Sequence, residues 1–236
     1  MSEPCRAERF DPGSAHARGG ADPYPYPDDV RTEMLRFVPR GIERLLDVGC
    51  GWGGFGHAVK TRDPAVEVWG VEVSATACES ARDRVDRVVH GPFPDALGSD
   101  APHFDCVVFN DVLEHLVDPW HALERTRDLL APGGVVVASI PNVRDLRVVA
   151  PLVLLGRWQY TDTGLLDRTH LRFFTLSSVV DLFRSAGYSV ESVDGVNLGL
   201  ATRVPRASLL AERLLGPGLN SFRTPQYAVV ARARPA

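Results

Sequence analysis

Lysine is almost missing from this chain: Lys60 is the one lysine among 26 basic residues. The rest are arginine, a mark of GC-rich coding sequence that carries no mechanism. Positive charge is not in excess either, with a formal net charge of -4 and a pI near 6.0. Sequence-independent binding to nucleic acid needs a basic footprint, so no nucleic-acid partner is expected. The four cysteines, Cys5, Cys50, Cys78 and Cys106, are widely spaced and form no CxxC pair. That argues against structural zinc and against a disulfide framework, and it suits a reduced cytoplasm. Long apolar runs are missing as well. The longest, "VVAPLVLLG" from Val148 to Gly156, falls well short of the ~20 residues that span a bilayer. The opening "MSEPCRAERF" has no apolar core, so no secretory signal and no membrane association are expected. No internal repeat is present.

What is there suits one sizeable core: 236 residues, 44% hydrophobic and 24% charged. Residues 1–22 read as a flexible arm and 23–236 as a single domain. "DPYPYPDD" follows the arm and presents Tyr24 and Tyr26 on extended, proline-rich backbone. A helix is expected over Val30–Val38, where Val30, Met34, Leu35 and Val38 share helical spacing. Strands are then expected at 44–49, 66–73, "RVVHG", 104–111, 135–142, "SVESVDGV" and "QYAVVARAR", alternating with helices that include one capped by Ser74. Apolar strands alternating with helices predict an α/β fold, a doubly wound, Rossmann-like, mostly parallel sheet of seven strands covered on both faces. The segment 143–174 is too long for an ordinary connection, and 195–224, with the amphipathic "RASLLAERLLG", is a second insertion.

The stretch "LLDVGCGWGGFG" holds GxGxxG spacing at Gly49, Gly51 and Gly54, after a predicted strand and before a predicted helix. Glu72, at the end of the next strand, can take a ribose diol whether the ligand is a nicotinamide dinucleotide or S-adenosylmethionine. Asp47 discriminates, because a carboxylate beside the loop suits an ammonium or sulfonium better than a pyrophosphate. In order, "LLDVGCGWGGFG", "VWGVEVS", "FDCVVFNDVLEHLVDP" and "LLAPGGVVVASIPN" resemble the class I S-adenosylmethionine-dependent methyltransferases. "GRWQYTDTGLLDRTHLRFFT" resembles the insertion of one functionally mixed bacterial branch. The resemblance implies that Asp47, Gly49 and Gly51, with Trp52 in the same loop, line the methionine part of S-adenosylmethionine. Glu72 takes the ribose and Val73 lies beside the adenine. Asn110, Asp111 and Val112 approach the amino-acid end or the reaction centre. The family often has an acid after the third strand. Here "HGPFPDAL" has Pro92 in that place, with Phe93 expected against the ring and Asp95 as a substitute. Tyr24 is expected to fold over the cofactor as a lid.

Methyl transfer needs a base only when the nucleophile must lose a proton. His170, in the insertion "LLDRTHLRFFT", is the preferred candidate, near its ordinary pKa and oriented by Asp167. A clasp of Asp167, Arg168 and His170 is the competing reading, with Phe173 and Phe174 as core anchors. His115, just past the fourth strand, is the second candidate base or an orienting residue. Asp111, Glu114 and His115 resemble segments that bind a hard metal ion in some O-methyltransferases, but nothing else in the chain completes a coordination shell, so no metal is expected. Trp158 and Tyr160 are candidates to stack on an acceptor ring, and Arg144, Arg147 and Arg157 to grip an acidic group. The expected activity is methylation of a small molecule at a hydroxyl oxygen of a sugar or natural-product intermediate, by a monomer or homodimer. A macromolecule-directed methyltransferase, a nicotinamide oxidoreductase and a non-catalytic binding module are the rivals.

Overall fold

The computed structural model describes residues 30–197 and 221–234. Tyr24, Tyr26, the expected arm and "RASLLAERLLG" lie outside the described residues.

Valine-rich runs alternate between two faces, and that period of two decides where the chain goes. The strands are β1 Arg44–Val48, β2 Glu67–Glu72, β3 Arg87–His90, β4 Phe104–Asn110, β5 Leu130–Pro141, β6 Tyr188–Val196 and β7 Gln226–Ala233. Leu46, Val48, Val107, Phe109, Val136, Ala138 and Ile140 pack in one core cluster, together with Phe104. Leu45, Cys106, Val108, Val135 and Val137 pack in the other. Helices α1 Gly54–Arg62, α2 Ala75–Ala81, α3 Pro119–Leu129, α4 Leu146–Leu155 and α5 Leu176–Ser185 connect the strands. The sheet order is β3-β2-β1-β4-β5-β7-β6. β7 runs antiparallel to both its neighbours, β5 and β6, and every other pairing is parallel. The expected mostly parallel, doubly wound seven-stranded sheet is thus what the chain forms.

Helix ends follow local chemistry. The Ser74 side chain accepts from Ala77 N–H at 3.1 Å and starts α2. Asp118 caps α3 by accepting from His121 N–H at 2.9 Å, with Pro119 at the first helical position, where a missing N–H is harmless.

Two expectations need correction. The helix expected over 30–38 is a short 3-10 helix, Thr32–Phe37, preceded by Arg31 at φ 51. Only Met34 of its residues is buried, and one anchor does not require a longer helix. The apolar part of 143–174 is not loop but α4, started by Asp145, which accepts from Arg147 N–H at 2.9 Å. Its apolar residues show no clear amphipathic pattern because most do not face the core: Val148 is buried, while Val153 and Leu154 are 72% and 77% exposed.

Strand order reverses between β1 and β4, so the segments after these strands flank the crevice where open α/β sheets bind ligands. The insertion returns to the same edge. Asn142 and Phe174 form a parallel bridge, and Val143 N–H donates to Phe174 C=O at 2.8 Å.

Candidate active site

The glycine loop leaves β1 under tight steric control. Gly49 has φ 68, and a Cβ there would meet Val112 Cγ2 at 2.7 Å. Only glycine allows both the left-handed turn and the approach of the two segments. Glu72 ties this loop to the next element: Gly51 N–H donates to its Oε2 at 2.9 Å and Ser74 N–H to its Oε1 at 2.8 Å. Trp52 is partly buried in the loop, and Val73 is exposed beyond Glu72.

Asp47 lies at 2% exposure beneath the loop, and its Oδ2 has no hydrogen-bond partner. Burial, with the Glu72 carboxylate second, pushes its pKa up to about 7, against a Gly56 N–H that favours the anion. At the end of β4 both polar atoms of the Asn110 side chain are buried and unpartnered. Orphaned buried polar atoms are expensive, and a carboxylate plus an amide fit a ligand carrying cationic and hydrogen-bonding groups. Phe93 packs edge-on against Phe109, with ring centroids 5.5 Å apart. Asp95 is exposed.

Asp111 is held in a clasp. At φ 55, it accepts from Arg31, from Ser139 Oγ at 2.9 Å and from Gln226 Nε2 at 2.7 Å. Burial raises its pKa, and the Arg31 guanidinium opposes the rise. Arg31, Ser139 and Gln226 carry no signal in the sequence, because Arg31 and Gln226 lie 80 and 115 residues from Asp111.

Beyond Asp111 the chain makes a 3-10 turn, Leu113–His115, and the insertion folds onto it. Leu171 and Arg172 N–H both donate to Glu114 C=O, at 2.9 and 3.0 Å. This brings Glu114, His115 and His170 together, with donor atoms within 4.8 Å of one another. The His115 and His170 rings meet edge to face at 4.7 Å. Glu114 is 1% exposed and neither carboxylate oxygen has a partner. Burial and then Asp111 raise its pKa well above the ordinary carboxylate range.

The expected environment of His170 needs correction. Burial, and next the neighbouring His115, push its pKa down to about 4, so it is neutral through the physiological range. Asp167 does not orient its ring. Asp167 Oδ1 accepts from Thr169 N–H at 2.8 Å and from Thr169 Oγ1 at 2.7 Å. Thr169 Oγ1 and its carbonyl then face His115 Nδ1 at 3.1 and 3.3 Å. With the hydroxyl proton committed to Asp167, both Thr169 oxygens act as acceptors, which places the His115 proton on Nδ1 and its lone pair on Nε2. Arg168 pairs outward with Asp162 instead of joining a clasp with His170. Phe174 is a buried anchor, while Phe173 is partly buried and packs against Trp158 at 5.2 Å and Tyr160 at 6.5 Å. Arg144 lies over Phe222, Arg147 pairs with Asp145 at 2.8 Å, and Arg157 is exposed.

Comparison with known proteins agrees with the fold. A methyltransferase domain family matches residues 22–193. The chain is 36% identical over 120 residues to a trans-aconitate 2-methyltransferase of Methylobacterium radiotolerans, covering 49% of this chain and 46% of that protein. It is 34% identical over 125 residues to a ubiquinone biosynthesis O-methyltransferase of Alkalilimnicola ehrlichii, covering 48% and 50%. The chain thus spans about half the length of these curated relatives. A crystal structure of a SAM-dependent methyltransferase from Archaeoglobus fulgidus shares the fold at a TM-score of 0.63 and 19% identity, covering 86% of this chain and 92% of that one. The chain belongs to the methyltransferase domain family, with S-adenosylmethionine as its cofactor.

Proposed function

We propose that this domain transfers the methyl group of S-adenosylmethionine to an oxygen of a small-molecule acceptor, a hydroxyl of a sugar or natural-product intermediate being preferred. The observation that carries the reading is the Glu114–His115–His170 cluster, built beside the crevice from the β4 segment and the returning insertion. The cofactor supplies a methyl group already activated on a sulfonium, so positioning accounts for most of the acceleration. Asp47 faces the positive end of the cofactor, Asn110 offers it a donor and an acceptor, and Glu72 takes the ribose. The acceptor proton is removed in the cluster. His115, oriented through Thr169 and Asp167, is the better placed of the two histidines, since a group as weakly basic as His170 drives proton removal poorly. The names of the two relatives, trans-aconitate 2-methyltransferase and ubiquinone biosynthesis O-methyltransferase, support a small acceptor.

The test is incubation with methyl-labelled S-adenosylmethionine and a size-fractionated bacterial extract. Label in the small-molecule fraction is the expected result. Label in polymer would redirect the reading to a macromolecular acceptor, and cofactor binding without any transfer would favour a binding module.

A further inference from the structure

We propose that the last turn of α4, with the residues that follow it, is an interfacial anchor that docks the domain on an anionic lipid bilayer. Leu152, Val153, Leu154 and Leu155 are consecutive, and they are 41%, 72%, 77% and 63% exposed. Successive helical residues point about 100° apart, so four in a row cover the whole circumference. A helix that packs on a protein surface shows one apolar stripe; here every side is apolar and open, so the turn projects from the body. Lipid surrounds such a projection on all sides, whereas a second protein surface covers one of them. Contiguous exposed apolar groups mark an interaction surface, which scattered ones do not.

The flanks carry the same reading. Gly156 closes α4 at φ 61, and the chain continues through Arg157, Trp158 and Tyr160. Arg157 and Tyr160 are exposed, and Trp158 is held edge-on against Phe173 at 5.2 Å. These residue types settle at the headgroup level, where amphipathic rings and a long cationic side chain keep their polar ends in water. Residues 143–160 hold three arginines, Arg144, Arg147 and Arg157, against one acid, Asp145, in a chain of formal net charge -4. That acid is already paired with Arg147. The local positive excess complements an anionic leaflet. It also opposes self-association, because antiparallel copies of α4 would set Arg157 of one beside Arg144 and Arg147 of the other.

Four residues at 1.5 Å each make a tip of about 6 Å, within the roughly 5–10 Å that interfacial helices bury. The expectation of no membrane association came from the lack of a spanning run, and no helix among the described residues is long and apolar enough to cross a membrane. An anchor that lies in the interface needs no such run. Since α4 follows β5 at the crevice edge of the sheet, docking sets that edge near the bilayer.

The experiment is co-sedimentation of the full chain with sucrose-loaded vesicles, made of phosphatidylglycerol mixed equally with phosphatidylcholine or of phosphatidylcholine alone. Wild-type protein is expected to pellet with the mixed vesicles and several-fold less with phosphatidylcholine alone; equal binding to both overturns the anionic preference. The Val153→Ser, Leu154→Ser double variant should bind about tenfold more weakly, since two inserted apolar side chains are lost. Val117→Ser, at 74% exposure outside the insertion, should bind as the wild type does. All three positions are exposed, so the fold stays intact. Absence of wild-type binding to either vesicle overturns the anchor, as does full binding by the double variant or an equal loss in Val117→Ser. A wild-type dimer that the double variant turns into a monomer in sedimentation velocity, with no vesicle binding, would overturn it in favour of a second copy. Docking does not rest on the methyltransferase reading: vesicle binding without label transfer would support the anchor and count against that activity, and transfer by a chain that ignores vesicles would do the reverse.

Discussion

Asp47 is an acid that the fold alone does not want ionised. Its pKa is raised from 3.8 to about 7, so the stability contributed by its neutral form is fully present below about 3.8 and is lost as pH rises through about 7. Asp47→Asn should therefore raise the melting temperature of the cofactor-free protein at pH 8, with the advantage shrinking towards pH 5, as differential scanning fluorimetry would record. A cationic ligand prefers the carboxylate. Wild-type affinity for S-adenosylmethionine should climb by up to about tenfold per pH unit below 7 and level off above it. The Asn variant should bind more weakly at pH 8 and lose that dependence, and a flat wild-type profile in calorimetry would count against Asp47 as the cationic subsite. Gly49 is a second single-residue constraint. With φ 68 and Val112 Cγ2 at 2.7 Å from a Cβ, Gly49→Ala should cost about 1–3 kcal/mol in denaturant unfolding and weaken cofactor binding.

Among the elements, the returning insertion and α4 behave oppositely. The insertion is pinned to the β4 segment through Glu114 C=O and through Thr169, which lies 54 residues from His115. Thr169→Val removes the hydroxyl that joins Asp167 to His115. It should lower turnover by tenfold or more while calorimetric cofactor affinity stays unchanged; equal turnover would show that His115 needs no such support. In α4 the exposed Leu154→Ala should shift stability by less than about 0.5 kcal/mol, and the buried Val148→Ala by roughly 1–3 kcal/mol, in denaturant titrations.

Across the whole molecule, the Arg31–Asp111–Gln226 clasp joins the segment before β1, the end of β4 and the start of β7. The Arg31 side chain is 11% exposed and that of Asp111 29%, so the pair is only partly screened by solvent. Arg31→Ala should destabilise the protein by about 1–3 kcal/mol, and a companion Asp111→Asn should recover part of the loss, because the stranded charge is then gone. A double-mutant cycle by chemical denaturation measures both.

The sheet was legible because each central strand announces itself by apolar content, and the glycine loop because GxGxxG after a strand has few other uses. Asp47, Gly49, Glu72 and Asn110 could be singled out as candidates for the same reason: each sits at or beside the end of a strand. Local patterns determined that much. Tertiary structure decided the rest. It took His170 out of its ordinary titration range by burial beside His115, gave Asp167 to Thr169, and turned Asp111 towards Arg31 and Gln226. These outcomes depend on residues distant in the chain meeting across the sheet edge, and no local propensity encodes the distance or burial on which their charge states depend.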